Sequence, residues 1–118
     1  MVKKMKITFK NIGNALCINL EGRLDATNSG DTERQITSHL QSLEKTGDLL
    51  INLSTLDYIS SAGLRVLLVI TKNQKKNNAK LCLFSLNDNV MEIFKISGFD
   101  TIFNIANNET EAVAILND

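Results

Sequence analysis

Residues 49–68 read Leu-Leu-Ile-Asn-Leu-Ser-Thr-Leu-Asp-Tyr-Ile-Ser-Ser-Ala-Gly-Leu-Arg-Val-Leu-Leu. The short apolar run Leu49–Leu53 suits a strand covered on both faces. From Leu64 onward the spacing of Leu64, Leu67, Leu68 and Thr71 draws one stripe along a helix that continues to about Asn77. Two serines, an alanine and a glycine (Ser60–Gly63) therefore stand where a buried strand hands over to a buried helix. In an α/β domain this turn, at the carboxyl end of a parallel strand, is where ligands and reactive groups gather.

The flanking segments extend the pattern. Lys6–Phe9 alternates, Ala15–Leu20 is mostly apolar, and Asn11-Ile12-Gly13-Asn14 supplies a turn, which predicts a β-hairpin. Ile36, Leu40 and Leu43 at i, i+4 and i+7 predict an amphipathic helix that begins between Thr27 and Asp31 and stops at Gly47. Beyond the central helix come a strand over Lys80–Leu86, a helix over Asp88–Ser97 ended by Gly98, and a short strand over Thr101–Ile105. A last helix opens with the Asn108/Glu111 capping pair. The order β-β-α-β-α-β-α-β-α predicts an α/β fold: a mixed sheet of about five strands, parallel after the hairpin, with right-handed crossovers.

The 118 residues suit one domain. Thirteen basic side chains balance thirteen acidic ones, so no global field favours nucleic acid or a membrane surface. The first ten residues lack the apolar core of a signal peptide, and the longest apolar run, Val66–Ile70, is far short of the roughly 20 residues that span a bilayer. The expectation is a cytoplasmic protein with no membrane insertion. Cys17 and Cys82 sit in apolar segments without metal-ligand spacing and read as core residues, and no cofactor is expected. The Asn52 and Asn108 sequons carry no message without secretion. Lys72, Lys75, Lys76 and Lys80 read as the solvated end of a helix, where cations complement the dipole.

Four chemistries fit a serine pair at such a turn. Helix capping by one hydroxyl accounts for Ser60, close approach of the backbone accounts separately for Gly63, and Ser61 is left unexplained. A hydrolase elbow needs glycine two residues before the nucleophile, where Ile59 stands; His39, the only histidine, is expected exposed on the first helix, and no second histidine offers a general base. Phosphate-ligand binding lacks its glycine-rich signature. The fourth is phosphorylation of Ser61: it adds nearly two negative charges at a helix start, which tolerates them, and changes what the surface binds. At 100° per residue Ser61, Arg65 and Lys72 group on the flank opposite the core, beside Ala62, Val66, Val69 and Asn73, a stripe suited to docking unless a neighbouring helix or loop covers Val66 and Val69.

The order of elements, together with EGRLDATNS (21–29) and LLINLSTLDYISSAGLRVLL (49–68), resembles the STAS family, named for sulphate transporters and anti-sigma-factor antagonists. The resemblance runs over nearly the whole chain. It implies a single STAS-like domain with helices mainly on one face of the sheet. It further implies a non-enzymatic anti-sigma-factor antagonist that binds an anti-sigma factor, itself a serine kinase, until that kinase phosphorylates it; a serine phosphatase resets the cycle. Carried onto this sequence, the phosphoacceptor falls on Ser61, less well on Ser60, which stands where many members keep aspartate. The implied partner surface comprises Asp25, Ser60, Ser61, Ala62, Gly63, Arg65, Val66 and Val69, with Gly63 leaving room for the partner's approach. A monomer or weak dimer is expected. The alternative the resemblance leaves open is a STAS subunit of a lipid-transport ABC system or of a stress-signalling complex, docking without a phospho-switch.

Overall fold

A computed structural model describes residues 5–118. Its first two strands, β1 (Lys6–Ile12) and β2 (Ala15–Leu24), form the antiparallel hairpin, with Gly13 at φ +59° in the turn. Three further strands, β3 (Leu49–Ile59), β4 (Leu81–Phe84) and β5 (Asn104–Ala106), add in parallel, giving the sheet order β1-β2-β3-β4-β5. Helices α1 (Ser29–Gln41), α2 (Ser61–Lys76) and α3 (Asp88–Ser97) fill the successive crossovers, and α4 (Glu109–Leu116) follows β5.

Because every parallel crossover advances the sheet in one direction, right-handedness places α1, α2 and α3 on the same face. Strand alternation shows it. Ile18, Leu20, Ile51, Leu53 and Leu83 pack with Ile36, Leu67, Val90 and Phe94 in the larger core. Their neighbours Cys17, Leu50, Cys82 and Phe84 point the other way and pack with Ala112 and Leu116 of α4. Both cysteines are buried core residues and are not joined.

Four boundaries differ from the sequence reading. β3 continues past Leu53 to Ile59, staying paired with an equally prolonged β2 as far as Leu24 beside Ile59. Exposed Ser54, Thr55 and Asp57 make this stretch look like a loop, yet Leu56 and Ile59 keep it anchored in the core. Register irregularities between Asn19 and Glu21 and between Gly22 and Arg23 accommodate the extension. β4 is shorter than expected, with Ser85 at φ +60° just beyond it. Thr101 closes a 3-10 turn (Phe99–Thr101) after left-handed Gly98, so β5 starts only at Asn104. Helix α1 ends at Gln41, leaving Leu43 beyond it and 37% exposed.

Candidate functional site at the β3–α2 turn

The prolonged strands carry Ser60 to the carboxyl edge of the sheet, beside the end of β2. The Ser60 amide donates to the Leu24 carbonyl (2.9 Å), its own carbonyl accepts from the Leu64 amide (2.9 Å), and its hydroxyl accepts from the Gly63 amide (3.3 Å). Ser60 is thus the N-cap of α2. Aspartate would cap the helix equally well. Ser61, the first residue of α2, is exposed.

Gly63 corrects an expectation. It is buried, and a Cβ there would lie 2.8 Å from Ile59 Cγ1, 2.8 Å from Leu24 Cγ and 2.9 Å from the Leu24 carbonyl oxygen. The missing side chain makes room for the end of β2 to meet α2, not for a partner. Val66 is corrected likewise: at 3% exposure it belongs to the core, its neighbours being drawn in where α1 packs on α2. Ala62 and Val69 are half-buried, and Arg65 is exposed. Between the starts of α1 and α2 runs a groove of about 120 Å³ lined by Ser29, Gly30, Glu33, Ala62, Arg65 and Val66.

Asp25 follows Leu24 directly and so lies in the loop tied to Ser60. Its Oδ1 accepts from the Thr27 amide (3.0 Å) and hydroxyl (2.6 Å), and its carbonyl accepts from the Ser29 amide (2.9 Å). Asn28 returns the bond, its Oδ1 accepting from the Asp25 amide (3.0 Å) while its Nδ2 donates to the Arg23 carbonyl (2.7 Å). The Thr27 hydroxyl and amide hold the Asp25 carboxyl below the usual carboxylate range. Asp25 therefore organises its own loop while leaving it exposed enough to be touched, its side chain being 27% accessible.

Sequence reasoning missed two neighbours of this edge. Arg23 and Tyr58 are cross-strand partners, the guanidinium lying 4.4 Å over the phenol ring and 4.0 Å from Asp25 Oδ2. Only the register of the prolonged strands pairs them. Glu33, one turn into α1, is a third residue missed, brought to the groove by the packing of α1 on α2.

His39 is not the exposed residue expected: it is half-buried, stacked on Phe9 of β1 at 3.7 Å between ring centroids. It sits ten residues beyond Ser29, about 15 Å along α1 from the groove. The lysine group also divides. Lys75 and Lys76 lie in the last turn of α2, whereas Lys80 Nζ donates to the Leu116 (3.1 Å) and Asp118 (2.5 Å) carbonyls and closes the end of α4. Among the described residues no three His, Cys, Asp or Glu side chains gather as a metal site, and no helix is long and apolar enough to cross a membrane.

A family model for the STAS domain matches residues 6–112, which takes in every element from β1 to the first half of α4. The chain belongs to the STAS domain family. This STAS domain is 36% identical over 110 residues, 93% of each chain, to a Bordetella bronchiseptica protein named "Putative anti-sigma factor antagonist BtrV". Its fold is similar to that of an anti-sigma factor antagonist from Mycobacterium paratuberculosis, with a TM-score of 0.85 at 16% identity over 98% of this chain and 96% of that one. It is similar also to unphosphorylated SpoIIAA, an anti-sigma factor antagonist, with a TM-score of 0.76 at 18% identity, covering 95% and 96%. SpoIIAA has also been solved in its phosphorylated form, with which the TM-score is 0.67 at 17% identity over 92% and 97%. At these identities the structural likeness is one of fold.

Proposed function

We propose that this STAS domain is a cytoplasmic anti-sigma-factor antagonist, a binding module without catalysis of its own, switched by phosphorylation of Ser61. The observation that carries the reading is the division of labour at the turn: Ser60 spends its hydroxyl on the helix cap, and Ser61 presents its own to solvent. The names of the relatives supply the class of partner, an anti-sigma factor. On this reading that partner is also the kinase.

The step transfers the γ-phosphoryl group of ATP to Ser61 Oγ: the new O–P bond forms, the β–γ anhydride bond breaks, ADP leaves and the hydroxyl proton goes to solvent or a kinase base. A serine phosphatase hydrolyses the ester and restores the hydroxyl. The docking surface comprises Ser61, Ala62, Arg65 and Val69 with the Ser60 cap and the Asp25 loop; Gly63 and Val66 support it from beneath. A doubly charged phosphate carried into that interface, where the partner supplies no arginine or lysine to meet it, costs several kcal/mol. Since each 1.4 kcal/mol is tenfold in affinity, the complex comes apart.

Two measurements test it. Incubation with the cognate kinase and ATP, followed by mass spectrometric mapping, places one phosphate on Ser61 and none on Ser60. Titration calorimetry shows Ser61→Ala binding the anti-sigma factor and Ser61→Asp losing at least about a hundredfold in affinity. Undiminished binding by Ser61→Asp would falsify the switch.

A further inference from the structure

Arg65 is exposed, lies four residues after Ser61 on the same flank of α2, and forms no ion pair among the described residues. Residues at i and i+4 of a helix stand about 5–6 Å apart at Cβ, within the span of an arginine side chain reaching back toward the helix start. We infer that Arg65 is an intramolecular clamp for the phosphate on Ser61, holding it against the first turn of α2. This rests on the phosphorylation reading above and assigns to one of its flank residues a role in the modified state.

The surroundings favour the clamp. The Ser60 hydroxyl and carbonyl already engage the Gly63 and Leu64 amides, so the phosphate cannot displace the cap without breaking the turn. Guanidinium donors from the same helix meet the phosphate oxygens without any backbone movement. The groups facing Arg65 from packed elements are few: Glu33 of α1 lines the same groove, while Asp25 is held by Thr27 and Arg23. Among the described residues Glu33 is the carboxylate that lines the groove with Arg65, and it competes for the guanidinium. Before phosphorylation Arg65 leans over the groove and is available to a partner; afterwards it is drawn to the phosphate. A single modification then changes two parts of the docking surface, adding an anion and withdrawing a cation.

The test uses the full chain with phosphoserine incorporated at position 61 by an expanded genetic code, which needs no kinase. Phosphorus NMR titration reads the second ionisation of the ester, ordinarily near pH 6. The expected result is a value lower by roughly half a unit or more in the chain with Arg65 than in Arg65→Gln, with Arg65→Lys between them, because a nearby cation favours the dianion. Equal values in the parent and Arg65→Gln overturn the clamp. The helix terminus contributes equally to all three, and circular dichroism of the unmodified variants confirms a common fold. Failure of the phosphorylation reading shows elsewhere, as a kinase-added phosphate mapping off Ser61, and leaves this titration intact.

Discussion

At Gly63 a single hydrogen atom stands where any side chain would strike Leu24 and Ile59. Gly63→Ala should lower folding stability by about 1–3 kcal/mol, read from urea unfolding, since the obstructing atoms include the Leu24 backbone and a branched core side chain. Thr71 carries the opposite lesson. It is 7% exposed, and its hydroxyl has no hydrogen-bond partner among the described residues, so Thr71→Val should raise stability by about 1 kcal/mol in the same assay. The cap at Ser60 is legible from a serine three residues before a helical glycine. That Gly63 permits a close approach is legible too; which atoms approach is not, because Leu24 belongs to a strand far away in sequence. Val66 could be read either way for a related reason: periodicity gives the angle around the helix but not how far α1 reaches over it.

Helix starts differ in how much hangs on them. Asn87 caps α3 through the Val90 amide (2.8 Å) and also donates to the Leu56 carbonyl (2.8 Å), whereas exposed Asn108 caps α4 through the Glu111 amide (2.9 Å). Asn87→Ala should therefore cost about 2 kcal/mol and Asn108→Ala about 1 kcal/mol, a difference that paired denaturation curves resolve. All four helices and all five strands are legible as elements, because each has its own periodicity or cap. Their ends are less so. The second half of β3 reads as polar, and its strand character comes from pairing with β2, which no local pattern announces.

Across the molecule, the second face of the sheet depends on one short helix. Burial under α4 pushes both thiols up to about 11 from an ordinary value near 9.0, Cys17 being raised further by the nearby Glu109 charge. The folded state holds these protons more tightly than the unfolded chain, so their stabilisation is complete below pH 9 and is lost as pH rises toward 11. At pH 8 neither thiol should react with a disulfide reagent on the timescale of a free cysteine, and truncation before Glu109 should expose both. The sheet order and the family are readable at this scale because the motifs recur at their proper spacing. Which face α4 covers is readable only from alternation within strands whose register is known.

The bond from Ser60 to Leu24, with Gly63 seated against that same residue, means the turn keeps its shape only while β2 lies beside it. On the phosphorylation reading proposed above, the kinase would meet a surface assembled from separate parts of the chain, with Ser61 already wound into the start of a helix. Substrate choice is then made by conformation before it is made by local sequence. A free peptide spanning residues 58–65 should be a far poorer substrate than the folded protein when the two are compared by kcat/KM.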